Sequence, residues 1–283
     1  MKILVLGAGG VGGYFGGRMA QAGLDVTFLV RPRRLAKIKK DGLEIKSQIG
    51  DLKININAIL ANQIETTYDF ILLACKAYDL DAALENIEPA VGESTFILPL
   101  LNGVSHLKKL DAKFHKEKIL GGCCYINTRL TSTGTIEHLG RLQKISFGER
   151  FENSSSRCHK LSKLLIKAHI DYDLSTNILL DMWEKYTFFT AVAALTTLMR
   201  SSIGNIIKVP SGRDLAEQIY DECLKIADSE GFATRTEKEY LFGSWLTEEN
   251  SPLKASMLKD IQANKPIEAD QIVGYMLEVA EKN

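Results

Sequence analysis

A glycine-rich segment near the start of the chain has the spacing of a dinucleotide-binding turn. Gly7, Gly9 and Gly12 follow the pattern Gly-x-Gly-x-x-Gly, with Gly10 and Val11 inside it. The first glycine permits a tight turn, the second admits a pyrophosphate, and the third allows a helix to pack on a strand. The first N–H groups of that helix then face the phosphates. The spacing predicts that these five residues bind a dinucleotide; a glycine-rich turn without a ligand is the alternative.

A basic run indicates which dinucleotide binds. NAD-binding proteins usually have Asp or Glu after the second strand, where it accepts a hydrogen bond from the ribose 2′-hydroxyl. This chain instead has Arg31, with Arg33 and Arg34 close behind. Guanidinium groups bind a 2′-phosphate through charge-assisted hydrogen bonds. The run therefore favours NADP(H), with Arg31 as the main contact, over a solvated basic loop.

Two further polar residues follow predicted strands. Lys76 comes after the apolar run 71–75, and Asn102 after the run 97–101. Ligands of open α/β sheets bind beyond the carboxyl ends of the strands. Lys76 alone suits a protein surface and Asn102 alone suits a turn. Their shared position predicts that both lie at the end of the sheet where a ligand would bind.

The elements that position these residues alternate between strands and helices. Apolar runs predict strands at 3–6, 26–30, 70–74 and 95–98, and a helix at 10–22. The alternation indicates a mostly parallel, doubly wound Rossmann sheet. Residues 128–147 read as a hairpin added to that sheet, and the serines at 154–156 as a loop within the same domain.

The remainder of the chain has a helical rhythm. Apolar spacing predicts helices at 177–198, 212–230 and 236–245, with more after Pro252. We therefore expect an α/β NADP-binding domain over residues 1–174 and an all-α substrate and catalytic domain over residues 175–283.

Composition narrows the class of protein. The 283 residues carry no net charge, so no overall field favours nucleic acid or an anionic membrane. No apolar run is long enough to span a bilayer. The five cysteines are scattered, which suits reduced thiols in a cytoplasmic protein. The histidines and cysteines lack metal-ligand spacing, so no metal is expected.

The motifs taken together resemble the ketopantoate (2-dehydropantoate) reductase family. The resemblance covers nearly the whole chain. It rests on GAGGVGG at 7–13, Arg31, Cys75-Lys76-Ala77, Leu101-Asn102-Gly103, Met182-Trp183-Glu184-Lys185, Ser256-Met257-Leu258-Lys259-Asp260 and Glu268-Ala269-Asp270.

The resemblance implies an NADPH-dependent reduction of a 2-oxo acid to a 2-hydroxy acid. The reaction it points to is 2-dehydropantoate to pantoate, in pantothenate biosynthesis, or a close relative. Matched motif to motif, Lys185 takes the place of the catalytic lysine and Glu268 that of the active-site glutamate. Ser256 takes the place of the serine that holds the substrate carboxylate. Lys76 and Asn102 are then the cleft residues that bind the cofactor near its nicotinamide, and Asn102 also contacts the substrate. The partner is then a small 2-oxo acid; a homodimer is compatible with this.

The surroundings of Lys185 agree with proton donation. Reduction of a ketone leaves negative charge on oxygen, so a proton donor must lie beside it. Met182, Trp183 and Tyr186 surround Lys185 in the sequence and would partly desolvate it. Without the resemblance, Lys185 could equally extend to solvent, Ser256 could be a helix-surface serine, and Glu268 an ordinary first-turn acid.

Three positions depart from the family pattern. Reductases of ketopantoate have asparagines that bind the substrate's polar groups, where this chain has Phe189, Ala193 and Ile203. Loss of these amides predicts a more apolar pocket and puts ketopantoate itself in doubt as the substrate.

Two other functions remain open. A dehydrogenase of the same architecture acting on another hydroxy acid would share the nucleotide end but would not need Lys185, Ser256 and Glu268. A non-catalytic NADP(H)-binding sensor would bind the cofactor without turnover.

Overall fold

The computed structural model describes residues 1–151 and 155–283 and divides into two compact units. An α/β unit comprises Met1–Leu101 and His106–Ile178, and a helical unit comprises Asn102–Ser105 and Leu179–Asn283. The division lies after residue 178, four residues beyond the position expected from the change of sequence rhythm. The predicted fold class, a parallel Rossmann-type sheet followed by helices, is confirmed.

Ten strands belong to the α/β unit. They are β1 (Lys2–Leu6), β2 (Asp25–Leu29), β3 (Leu43–Ser47), β4 (Leu52–Ile54), β5 (Asn57–Ile59), β6 (Tyr68–Leu73), β7 (Val91–Pro99), β8 (Gly121–Leu130), β9 (Ile136–Gly148) and β10 (Asp171–Leu174).

Five helices of eight or more residues accompany them. They are α1 (Gly10–Gln21), α2 (Pro32–Asp41), α3 (Leu80–Ile87), α4 (His106–Phe114) and α5 (Ser156–Lys167). Of the serine run predicted as a loop, Ser154 lies outside the described residues, whereas the Ser155 side chain accepts a hydrogen bond from the Cys158 N–H and caps α5.

The first sheet is wholly parallel, with strand order β5-β2-β1-β6-β7. Its central strands are buried on both faces, which explains their unbroken apolar sequence. From β1 the chain continues to β2 on one side, and from β6 to β7 on the other. The chain therefore changes direction between the neighbouring strands β1 and β6. Ligands of such sheets bind at this switch point, outside the carboxyl ends of the strands.

A second sheet corrects one prediction. β8 and β9 do form an antiparallel hairpin, but it does not extend the parallel sheet. β9 is 13 residues long, and its other partners are β3 near its start and β10 near its end. These pairings generate a separate five-stranded sheet of order β10-β9-β3-β4 with β8 on β9. The prediction was wrong because β3 and β10 are short and half-exposed, so they give weak sequence signals.

Helix α1 packs between the two sheets. A Cβ at Gly16 would lie within 3 Å of Phe28 and Val5 of the parallel sheet. One at Gly17 would lie equally close to Leu43 and Ile45 of the second sheet. Glycine on both faces thus lets a single helix approach both sheets, which accounts for glycines beyond those of the nucleotide motif.

The helical unit is built around one long helix. It contains α6 (Ile178–Leu198, its first residue in the other unit), α7 (Ile203–Ile207), α8 (Gly212–Ser229), α9 (Thr236–Leu246), α10 (Ser256–Gln262) and α11 (Tyr275–Lys282). Aromatic rings pack on α6: Trp183 stacks on Phe232, and Phe188 stacks on Phe242. No helix in the described part of the chain is long and apolar enough to cross a membrane.

Candidate active site

The glycine-rich turn has the shape that its sequence predicts. Gly7 has a φ of +94°, a conformation that favours glycine, and a Cβ at Gly12 would collide with the carbonyl oxygen of Gly7. At Gly9 no heavy atom lies within 4 Å of the position of a Cβ. Gly9 is the N-cap residue of α1 and has no side chain that could cap the helix. The turn therefore leaves space for a pyrophosphate beside the first N–H groups of α1.

Arg34 stabilises this turn by hydrogen bonding to its backbone. Its Nε donates to the carbonyl oxygen of Ala8 at 3.0 Å, and its Nη1 donates to that of Gly134 at 2.8 Å. Burial lowers the pKa of the Arg34 guanidinium below its usual value. Arg34 thus joins the glycine-rich turn to the β8–β9 hairpin. Its Nε and Nη1 are used for structure, a role that the sequence did not reveal.

Arg31 has a carboxylate partner. Its Nη2 donates to Oδ1 of Asp79 at 2.6 Å, and its side chain is 74% exposed. The hydrogen bond and charge of Asp79 raise the pKa of Arg31. Asp79 ends a 3₁₀ turn, Ala77–Asp79, that begins directly after Lys76. The structure therefore brings Arg31 to the segment that carries the half-buried Lys76, three residues beyond β6.

Lys185 lies beside Asn102 within the helical unit. Its Nζ is 3.5 Å from Oδ1 of Asn102, at the outer limit of a hydrogen bond. The next residue, Gly103, has a φ of +80°, and a Cβ there would lie 3.5 Å from the Tyr186 ring. The turn after β7 is thus held against α6, and two of the residues predicted separately from sequence come together.

Glu268 is buried, with 3% of its surface exposed. It precedes a π-helical turn, Asp270–Gly274, that leads into α11. The hydroxyl of Tyr186 donates to the carbonyl oxygen of Ile272 in that turn at 2.6 Å. Burial raises the pKa of this Tyr186 hydroxyl, which therefore remains a donor. The neighbour of Lys185 thereby ties α6 to the segment that follows Glu268; π-helical turns are frequent at functional sites.

Ser256 begins α10 and has a buried hydroxyl. The described residues provide no hydrogen-bond partner for its Oγ, and a buried hydroxyl without a partner suits a ligand. The preceding Ala255 donates its N–H to Oγ1 of Thr196 at 3.2 Å. Thr196 lies on nearly the same face of α6 as Lys185 and about 16 Å further along the helix. The start of α10 at Ser256 is therefore bound to α6 about three turns beyond Lys185.

The three positions that lack the family's asparagines are apolar. Ala193 and Ile203 are fully buried, and Phe189 is half-buried. Phe189 and Ala193 follow Lys185 at intervals of four residues, so they lie along one side of α6. On the face of α6 between Lys185 and Thr196, Phe189 and Ala193 therefore offer no side-chain hydrogen bond.

An ion-pair cluster surrounds the residue before Lys185. The Glu184 carboxylate accepts hydrogen bonds from the backbone N–H of Arg235 at 2.9 Å and from its Nε at 2.7 Å. Asp181 accepts from Nη2 of the same guanidinium. Both carboxylates raise the pKa of Arg235. Sequence reasoning missed this cluster, since Arg235 is 51 residues from Glu184.

Across residues 1–151 and 155–283, no three His, Cys, Asp or Glu side chains are grouped to hold a metal ion.

Both parts of the chain match a known protein family. The family described as "Ketopantoate reductase PanE/ApbA" matches residues 3–151, and its C-terminal counterpart matches residues 177–283. The chain belongs to the ketopantoate reductase family. The predicted resemblance is confirmed.

Individual relatives cover almost the full length of the chain. The "Uncharacterized oxidoreductase YkpB" of Bacillus subtilis is 35% identical over 282 residues, covering 100% of this chain and 93% of the relative. A crystal structure of 2-dehydropantoate 2-reductase from Geobacter metallireducens is 26% identical, with a TM-score of 0.90 and coverage of 100% and 94%. A ternary structure of D-mandelate dehydrogenase with NADH and anilino(oxo)acetate is 23% identical, with the same TM-score and coverage of 100% and 92%. This last likeness shows the shared fold.

Proposed function

We propose that this oxidoreductase reduces a 2-oxo acid to a 2-hydroxy acid with NADPH, and that Lys185 supplies the proton. The observation that carries the proposal is the approach of Lys185 Nζ to Asn102 Oδ1. An ammonium group has three N–H donors, so Lys185 can contact the Asn102 amide and also donate to a substrate oxygen placed beside it. Since Asn102 is also uncharged, it does not neutralise the positive charge that stabilises the developing alkoxide.

The nucleotide end fits a dinucleotide cofactor. Gly7, Gly9, Gly10, Val11 and Gly12 would hold its pyrophosphate, because the turn is open at Gly9 and uncapped at the start of α1. Lys76 and Asn102 would lie near its nicotinamide half. Arg31, exposed at the end of β2, would bind the 2′-phosphate of NADPH. When bound, the reduced nicotinamide supplies the hydride that attacks the carbonyl carbon.

The helical unit would bind and orient the substrate. Lys185 donates a proton to the carbonyl oxygen, and Asn102 fixes the direction of its Nζ. The partnerless hydroxyl of Ser256 would accept or donate a hydrogen bond at the substrate carboxylate, and the buried Glu268 would complete the polar end of the site. Phe189, Ala193 and Ile203 favour a substrate with an apolar remainder over ketopantoate. The comparison structure named 2-dehydropantoate 2-reductase supports this reaction class.

We place the enzyme in the cytoplasm. The support is that none of the five cysteines forms a disulfide in the structure, which suits a reducing compartment.

The test is oxidation of NADPH against a panel of 2-oxo acids that includes ketopantoate, pyruvate, phenylpyruvate and 3,3-dimethyl-2-oxobutanoate. We expect turnover with at least one of them and none with 3-oxo acids. Tight nucleotide binding without turnover on any acid would instead indicate a sensor. Turnover confined to 3-oxo acids would indicate the alternative dehydrogenase.

A further inference from the structure

The ion pair between Arg31 and Asp79 lies where a Rossmann fold contacts the ribose 2′ substituent, which is a phosphate in NADPH and a hydroxyl in NADH. Arg31 lies two residues beyond β2, where Rossmann folds contact the 2′ substituent of the adenosine ribose. Asp79 reaches this position from the turn after β6, the neighbouring segment on the far side of β1. An acidic and a basic side chain are therefore in contact at the carboxyl-terminal end of the parallel strands.

The two charges have opposite effects on the 2′ substituent. The Arg31 guanidinium attracts a 2′-phosphate, whose charge is about −1.5 to −2 at neutral pH by analogy with phosphorylated side chains. The Asp79 carboxylate repels the same phosphate and competes with it for Nη2 of Arg31. With NADH, the carboxylate can instead accept a hydrogen bond from the 2′-hydroxyl, as acidic residues do in NAD-binding proteins.

The Asp79 side chain does not stabilise the start of the helix that follows it. Asp79 stands at the N-cap of α3, but its side chain makes no capping hydrogen bond. Its backbone N–H, which does bond to the carbonyl oxygen of Lys76, is unaffected by the identity of the side chain. The carboxylate instead pairs with Arg31, which points to a role at the ligand.

Resting on the proposed use of NADPH, we propose that Asp79 is a specificity-determining residue. Through its pair with Arg31 it keeps the preference for NADPH over NADH small and lets the same site accept both dinucleotides.

The experiment measures dissociation constants of NADPH and NADH by fluorescence titration, without substrate, for the wild type and Asp79→Asn. Removal of one like charge beside the phosphate should tighten NADPH binding by about 5- to 30-fold. The weaker, neutral acceptor should loosen NADH binding by about 2- to 5-fold. Adenosine 2′,5′-bisphosphate and adenosine 5′-monophosphate, which lack the nicotinamide, should show the same divergence.

Asp81→Asn is the matched control. Asp81 lies two residues further on, is exposed, and pairs with Lys109 at 2.7 Å instead of Arg31. The Asp81→Asn variant removes the same charge as Asp79→Asn. Because salt screens charges that are not in contact with the ligand, the ratio of the NADPH and NADH dissociation constants should stay within about twofold of the wild-type ratio.

The outcomes separate the inference from the proposed function. A ratio unchanged in Asp79→Asn, or changed equally in Asp81→Asn, overturns the role of Asp79 while NADPH binding by the wild type stands. Failure of the wild type to bind either dinucleotide overturns the proposed function and this inference together.

Discussion

Glu184, the residue immediately before Lys185, is joined to the first turn of α9 through Arg235. Arg235 is the N-cap residue of α9, and both its backbone N–H and its guanidinium donate to the Glu184 carboxylate. Only 2% of the Glu184 side chain is exposed, against 40% of Arg235. The pair therefore fixes the part of α6 that carries Lys185 relative to a second helix of the same unit.

Neutralising Glu184 should destabilise the protein. Glu184→Gln leaves the backbone N–H and Nε of Arg235 without a charged acceptor, although Asp181 still accepts from Nη2. Breaking such a pair costs about 2–4 kcal/mol when one partner is partly exposed. The free energy of unfolding in urea measures the effect. Glu249→Gln is the control, because Glu249 is 75% exposed and 3.8 Å from Arg213, and its loss should cost less than about 1 kcal/mol. Equal stability of the two variants would mean that the Glu184 pair contributes nothing.

Removal of Lys185 should act on turnover. Lys185→Ala deletes the proposed proton donor, so kcat should fall by about 10²- to 10⁴-fold while NADPH affinity stays nearly constant. Steady-state kinetics and nucleotide titration give the two quantities separately. Lys208→Ala, which removes a lysine bonded to Asn250 at the surface of the same unit, should leave kcat unchanged. Activity of Lys185→Ala within a few-fold of the wild type would exclude Lys185 from the mechanism.

Removal of Arg31 should act on the cofactor. A hydrogen bond to a charged group contributes about 1.5–3 kcal/mol, so Arg31→Ala should weaken NADPH binding by roughly 10- to 150-fold. NADH has no 2′-phosphate, and its affinity should hardly change. The neighbouring Arg33→Ala, also exposed, is the comparison variant. A wild-type protein that binds NADH more tightly than NADPH would contradict the assignment.

Ketopantoate should be a poorer substrate than its deoxy analogue. Burying the hydroxyl of ketopantoate without a partner costs about 1–3 kcal/mol, and Phe189, Ala193 and Ile203 have no polar side-chain atom. The analogue 3,3-dimethyl-2-oxobutanoate should therefore have a kcat/KM roughly 5- to 150-fold higher at saturating NADPH. Competition between the two acids in one assay provides the measurement. A clear preference for ketopantoate would show that other groups replace the missing asparagines.

The local features of this protein were determined by the sequence itself. Runs rich in apolar residues predicted β1, β2, β6 and β7, because strands buried on both faces have few polar positions. The glycine spacing predicted the turn before α1, because its steric requirements lie within six consecutive residues. Helical periodicity likewise predicted α6, α8 and α9, with bounds within one or two residues of those observed.

The pairing of strands and side chains that are far apart in the sequence was decided by the tertiary structure. The β8–β9 hairpin lies in its own sheet because β3 and β10 pair with β9, and such pairing depends on which edges meet in space. The pairs Arg31–Asp79, Arg34–Ala8 and Glu184–Arg235 connect residues 48, 26 and 51 positions apart. A charged residue in sequence shows what it can bind, whereas its partner depends on how the chain folds. For that reason the sequence presented Arg31 as a phosphate ligand, and only the fold revealed the carboxylate that opposes it.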